Sequence, residues 1–398
     1  MKKESSLPFA LLFVLLLCLG VALGVFAARW NSARTNELVP SEETSEPDTE
    51  AAALTPAPTK APLPSVASAE CGHPLYENGV CVLCGHVCEH PFHSTEGECL
   101  LCGTKLVHHY VKGVCSCGRT PDLHTTLLPE RFYQPCEQEG MIVEWAYETT
   151  VWGVGADAVV NVDFYIPYGY TPLRQYNVLV LLHGLRTTEN SWLNEPLELL
   201  DGRFFEMRYI YDHMIAEKII EPLIIVSASQ YLISSNNMYK SSYEQMAAEL
   251  LSRILPYTQE FLSTYADGTS AASFIRAREH FALGGNSWGS YYTYDTGMCQ
   301  SLPYFASFLC FSGDASGAYI IESLEDERMQ DYDIKLYYAA AGDVDVARAG
   351  EEGIFYSVVP RVSKLTDGEN AFFHICQGGH DWGTWSIEIY NALQYLFA

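Results

Sequence analysis

The sequence predicts an α/β domain, a mostly parallel sheet between layers of helices, preceded by a small cysteine-rich segment. Three observations carry this. Val178–Leu182 and Leu223–Val226 are continuous apolar runs, which suit strands covered on both faces. Ser242 to Tyr265 sets Met246, Leu250, Leu251, Ile254 and Leu262 near helical spacing. Eight of the 13 cysteines fall between Cys71 and Cys117, and that local density marks a unit of its own.

The chain has 398 residues, 48% of them hydrophobic, which leaves room for one large core and something smaller. Acidic residues outnumber basic ones 49 to 23, a formal charge of -26. A phosphate backbone or an anionic lipid surface selects for clustered Lys and Arg, so neither is an expected partner.

At the N-terminus, Lys2 and Lys3 precede an uncharged run from Leu7 to Ala28. Its length suits a membrane span, which needs about 20 apolar residues. Val25-Phe26-Ala27 would also serve as a small-residue cleavage site. Residues 1–34 are therefore read as a signal anchor or a signal peptide. Either one puts the rest outside the cytoplasm, secreted or anchored at the cell surface, with membrane contact through this segment only. Residues 35–70 hold six prolines and a cluster of acids from Glu42 to Glu50. They bury too little apolar surface to offset chain entropy, and read as a disordered spacer.

Residues 71–124 contain a repeat. Cys71-Gly-His73 leads to Gly79-Val-Cys81-Val-Leu-Cys84-Gly85, and Cys88-Glu-His90 leads to Gly97-Glu-Cys99-Leu-Leu-Cys102-Gly103. A degenerate third copy ends at Cys115-Ser-Cys117. Each full copy offers three thiolates and one imidazole, a tetrahedral shell for structural zinc. Units this short need a metal or disulfides to be stable. The C-x-x-C-G turns favour zinc, in the manner of a small zinc ribbon, and an extracytoplasmic location favours disulfides. Four protein ligands leave no open position for catalysis.

From 135 to 398 strand and helix patterns alternate. Val159–Tyr165 alternates like an early edge strand. The continuous runs follow, then the helix from Ser242. Phe281–Leu283, Leu336–Ala339 and Ala371–Cys376 are further strands, and Ile387–Leu396 is a closing helix. The sum is one α/β sandwich.

Three motifs sit at strand ends. Gly285-Asn286-Ser287-Trp288-Gly289 follows a strand. G-x-S-x-G is a strand-to-helix turn that exposes a serine hydroxyl. Gly378-Gly379-His380-Asp381 follows the last strand, where an imidazole can reach back as general base. Gly342-Asp343-Val344-Asp345 ends the strand before it and supplies a carboxylate to orient the histidine. The chain order Ser, Asp, His is that of α/β-hydrolases. His374 lies inside a strand pattern and reads as structural. Cys299, Cys310 and Cys376 read as buried apolar positions.

Together with His183-Gly184-Leu185-Arg186-Thr187-Thr188-Glu189-Asn190-Ser191-Trp192, these motifs resemble the esterase D-like group. Within it they are most similar to the feruloyl and acetyl xylan esterases of carbohydrate esterase family 1. The resemblance runs from about Met141 to Ala398 and implies the α/β-hydrolase fold. It implies Ser287 as nucleophile, His380 as general base and Asp345, with Asp343 as rival, as the triad acid. The oxyanion hole would be the backbone N–H groups of Leu185 and Trp288. Trp192, Trp382 and Trp385 would form aromatic walls for a phenolic acyl group or a sugar, or pack the sheet's upper edge. Trp288 and Ser290 depart from the family pattern, which has Met and Gly there.

The function so implied is that of an exported serine esterase. It would act through an acyl-enzyme, without a catalytic cofactor, on a small or polysaccharide-linked ester such as a feruloyl or acetyl ester of plant cell wall. Two alternatives stay open. Gly184-Leu185-Arg186 also suits an acyltransferase of the mycolyltransferase type. A surface binding protein that has lost activity is the other.

Overall fold

A computed structural model of the chain describes residues 76–77, 80–81, 99, 110–111, 114–115, 127–151, 159–234 and 237–397. Ten strands form the main sheet: β1 (Met141–Glu148), β2 (Val159–Ile166), β3 (Val178–Leu182), β4 (Ile224–Ala228), β5 (Tyr231–Ser234), β6 (Asn237–Lys240), β7 (Phe281–Asn286), β8 (Ser307–Phe311), β9 (Leu336–Gly342) and β10 (Ala371–Cys376). Eight of them run in the order β1-β2-β4-β3-β7-β8-β9-β10, and the β5–β6 hairpin joins the start of β2. From β4 to β10 every pairing in that order is parallel, while β1 and β2 are antiparallel. This is the mostly parallel sheet of an α/β-hydrolase fold.

The apolar runs are continuous because both faces are covered. In β3, Val178, Val180 and Leu182 enter one core cluster, and Leu179 and Leu181 enter the other. The second cluster takes in α1 (Met207–Ala216) and α7 (Trp382–Leu393). The first takes in α2 (Tyr243–Glu249), α3 (Leu255–Phe261), α5 (Gly317–Leu324) and α6 (Arg348–Val358). Cys299, Cys310 and Cys376 are buried in these layers.

Three expectations change. β2 is not an edge strand but lies between β1 and β4. Its Asp163 is a buried carboxyl group, so polar spacing there does not mark a wet face. The helix expected from Ser242 to Tyr265 starts as predicted, with the Ser242 hydroxyl accepting from the Gln245 N–H. It then loosens into a π turn over Leu250–Ile254, and ends at Phe261. The domain also begins before 135. A 3-10 turn at Glu130–Tyr133 buries Phe132 and Tyr133, with the Phe132 ring 5.1 Å from Tyr390 of α7.

In the cysteine-rich segment, Tyr76–Glu77 pairs antiparallel with Val80–Cys81, and Tyr110–Val111 with Val114–Cys115. Cys81 and Cys99 are buried. The other expected zinc ligands, Cys71, His73, Cys84, Cys88, His90 and Cys102, lie outside the described residues, as do the uncharged run 7–28 and the spacer 35–70. Among the described residues no helix is long and apolar enough to cross a membrane.

Candidate active site

Three strand ends meet at the C-terminal edge of the parallel sheet, where α/β sheets place their ligand crevices. β7 ends at Asn286, and α4 (Trp288–Tyr292) begins two residues later. Ser287 makes the corner alone, with φ 51° and ψ -115°, a conformation rare for a residue with a side chain. The turn is held by the Ser287 N–H, which donates to the Phe311 carbonyl at 2.8 Å. It is also tight. A Cβ on Gly289 would run into the Leu182 carbonyl of β3, which is why the motif needs glycine there.

His380 lies on the turn after β10. Gly378 begins that turn at φ 141°, which L side chains rarely adopt. Asp381 then caps α7, its carboxylate accepting from the Thr384 N–H at 3.1 Å. The imidazole so held spans two partners. Nε2 is 3.0 Å from Ser287 Oγ, and Nδ1 is 2.9 Å and 3.2 Å from the two Asp345 oxygens. The edge of the Trp385 indole supports the ring at 5.0 Å.

The Asp345 side chain is wholly shielded from solvent. Burial alone would raise its pKa. Hydrogen bonds from His380, from the Ala347 N–H at 2.7 Å and from the Ser312 hydroxyl outweigh that, and hold it below the usual carboxylate range. Asp343 does a different job. Its carboxylate accepts the Gly378 N–H at 2.9 Å and pins the histidine turn.

The loop after β3 faces the serine corner. His183 is fully buried, and its Nδ1–H donates to the Gly184 carbonyl at 2.8 Å. Burial pushes its pKa down to about 4, so it stays neutral and shapes the loop. Neither the Leu185 nor the Trp288 N–H has a hydrogen-bond partner among the described residues. Donors left open beside a nucleophile can receive a developing oxyanion.

The three tryptophans are not three walls. Trp192 is 0% exposed, and its Nε1–H donates to the Leu182 carbonyl at 3.1 Å. Trp385 is 6% exposed and donates to Ser312 Oγ at 3.1 Å. Both pack edge-on against Trp382, at 5.1 and 5.0 Å. Only Trp382 is half-exposed. The first two are thus packing residues that back the histidine turn. His374 is also structural, buried with Nδ1 2.8 Å from the Tyr338 hydroxyl. Sequence reasoning missed Ser312, which touches both Asp345 and Trp385. Nothing in its local spacing separates it from an ordinary loop serine.

No protein-family profile matches the chain. Endo-1,4-beta-xylanase Y of Acetivibrio thermocellus is 27% identical over 281 residues, 68% of this chain and 24% of that protein. The chain thus spans about a quarter of that relative's length. A serine mutant of the feruloyl esterase module of Clostridium thermocellum, complexed with sinapinate, superposes with a TM-score of 0.59 at 25% identity. The match covers 70% of this chain and 96% of that one. A ferulic acid esterase of carbohydrate esterase family 1 from Anaeromyces mucronatus shares the fold at TM-score 0.53 and 17% identity, over 70% and 98% of the two chains.

Proposed function

We propose that this carboxylic ester hydrolase, which resembles the feruloyl esterases of carbohydrate esterase family 1, cleaves feruloyl or acetyl esters on plant cell-wall polysaccharide outside the cytoplasm. One observation carries the chemistry: a single imidazole stands within hydrogen-bond reach of both Ser287 and Asp345.

Ser287 Oγ attacks the ester carbonyl as His380 Nε2 takes its proton. The negative charge that develops on the carbonyl oxygen is met by the Leu185 and Trp288 N–H groups, and one such donor typically contributes about 10²–10³ in rate. Asp345 keeps Nδ1 protonated and stabilises the imidazolium. His380 then gives its proton to the leaving alcohol. Water, deprotonated by the same nitrogen, releases the acid and restores the serine. No cofactor takes part in these steps. The 25% identical feruloyl esterase module supports the feruloyl side of the substrate assignment, and the 27% identical xylanase supports a plant cell-wall polysaccharide as its carrier.

The N-terminal run 7–28 serves export or anchoring in this reading, and the spacer 35–70 lifts the folded parts away. Each full Cys/His copy holds one structural zinc through three thiolates and one imidazole. The burial of Cys81 and Cys99 suits sulfurs turned inward on an ion. Metal analysis finding no zinc, with intact disulfides by mass spectrometry, would reverse that part.

The test of the catalytic reading is labelling of the purified full chain with a fluorophosphonate, with turnover of methyl ferulate and acetylated xylan measured in parallel. Labelling and turnover are expected in the native chain and absent in S287A. A folded native chain that resists the probe sinks the reading.

A further inference from the structure

Behind the serine corner lies an acid that the mechanism above does not use. Glu351 projects from α6, the helix that follows the Asp345 turn, and is fully buried. Its two oxygens gather three elements. Oε2 accepts the Gly313 N–H, from the turn after β8, and the Ser290 hydroxyl at 3.4 Å, from the first turn of α4. Oε1 meets the Tyr294 hydroxyl, which lies in the π turn (Thr293–Cys299) that continues α4. Tyr294 in turn lies 2.9 Å from the Tyr337 hydroxyl of β9. Gly313 follows Ser312, the hydroxyl that touches Asp345. One carboxyl group therefore joins the helix that opens at Ser287, the turn that supports the triad acid, and that acid's own helix. Ser290 occupies the position where the family pattern has glycine, so this chain has a donor to the acid that the pattern lacks.

We propose that Glu351 is a positioning residue for Ser287, and that it does this work as a neutral carboxylic acid. The inference rests on the reading of Ser287 as nucleophile. When the carboxyl carries its proton on Oε1, the Tyr294 hydroxyl turns to accept it and donates onward to Tyr337. Oε2 then keeps its two donors. When the proton leaves, Tyr294 must turn back to donate to Oε1, and a full negative charge sits in the core behind the nucleophile.

Burial drives the acid's pKa up to about 8, against the lowering effect of the bonds from Tyr294, Gly313 and Ser290. The titratable groups facing it are Tyr291 and Tyr294 on α4 and its π turn, Cys310 on β8, Asp314 beyond it, Tyr337 on β9 and Glu388 on α7. None of these is a cation that would hold the charge. A buried anion there opposes the oxyanion that forms on the substrate.

The experiment is the pH profile of kcat and KM on methyl ferulate for the full chain and for E351Q and S290A, with folding checked by circular dichroism. Glutamine reproduces the heavy atoms and neutrality of the protonated acid, with Oε1 taking the two donors and one Nε2–H donating to Tyr294. E351Q is expected to keep kcat at pH 7 within about threefold, with KM unchanged, and to lack the native fall of kcat near pH 8. S290A removes a bond that favours the charged form, so its alkaline limb moves to higher pH. That arm carries the test if E351Q does not fold. A folded E351Q that loses kcat at pH 7 by more than about tenfold overturns the proposal. So does a native alkaline limb that neither variant shifts. Loss of activity in S287A alongside those results sinks the positioning role alone. An active S287A sinks the catalytic reading beneath it.

Discussion

The Asp345 carboxylate is withdrawn from solvent 2.9 Å from His380 Nδ1, while the imidazole side chain it holds is 31% exposed. The acid is fixed from behind and the base faces outward. Replacing Asp345 by Asn keeps the shape but offers an amide where the imidazole needs an acceptor. D345N is expected to lower kcat on a soluble ester by about 10³–10⁴-fold. D343N keeps an acceptor oxygen for the Gly378 N–H and loses only the charge on that tether, and is expected to stay within about tenfold of native. Equal losses in the two variants would show that the triad acid is misassigned.

Glu351 makes stability depend on pH in a definite direction. Its pKa rises from 4.5 in the unfolded chain to about 8 in the folded one, so between those values the native state holds a proton that the unfolded state has lost. Stability from this group is complete below pH 4.5 and falls as pH rises towards 8, by about 1.4 kcal/mol per unit. Asp345 has the opposite sign. Its depressed pKa adds stability above pH 3.8 that is lost as pH falls through the folded value. Urea unfolding at pH 5 and pH 8 should therefore show a larger stability drop for the native chain than for E351Q. Parallel curves would mean that Glu351 is already ionised at pH 5.

Legibility followed locality. Ser287, His380 and the two aspartates were readable because each sits on a short glycine turn at a strand end, and β3 and β10 match their apolar runs to the residue. Glu351 and Ser312 were not readable as supports, because their partners lie in other elements. Glu351 meets Ser290 from 61 positions away. β8, Ser307–Phe311, is as long as β3, but no site motif marks its end and it was not among the expected strands. For Trp192 and Trp385 the sequence left both uses open because indole serves packing and binding alike, and burial is what favours packing.

That burial yields a contrast. W192F leaves a gap beside the Leu182 carbonyl and removes the indole N–H that donates to it, so it is expected to lower stability by about 2–4 kcal/mol with KM little changed. W382A, at the half-exposed ring, should raise KM for a feruloyl ester by about three- to tenfold while the melting temperature shifts less. A KM effect confined to the Trp192 variant would reverse these assignments.

Gly289 allows no side chain, since the β3 backbone at Leu182 occupies the space where Cβ would stand. Neither the strand nor the corner can retreat, as Ser287 is bonded to Phe311 and Leu182 is paired in the sheet interior. G289A is expected to cost about 3 kcal/mol or more and to abolish turnover even where some protein folds. Near-native activity in this variant would mean that the serine corner is softer than its geometry implies.

Trp288 bears on which ester is cleaved. Its backbone N–H is a proposed oxyanion donor, while its ring lies 3.9 Å beneath the Lys240 ammonium and 6.4 Å from the Tyr231 ring. The cation over its face and the neighbouring phenol limit the positions this indole can take. A bulky, fixed ring next to Ser287 narrows the space open to an acyl chain, so the native chain should favour acetyl over feruloyl esters more than a chain with Met, the residue of the family pattern, in this position. Met is flexible and fills irregular gaps. W288M should therefore raise kcat/KM for methyl ferulate relative to p-nitrophenyl acetate by about tenfold, the scale at which apolar pockets discriminate by size. The backbone donor is untouched, so the acetyl ester itself should be turned over at close to the native rate. A ratio unchanged in W288M places the indole outside the acyl pocket and leaves its stack with Lys240 as a surface contact.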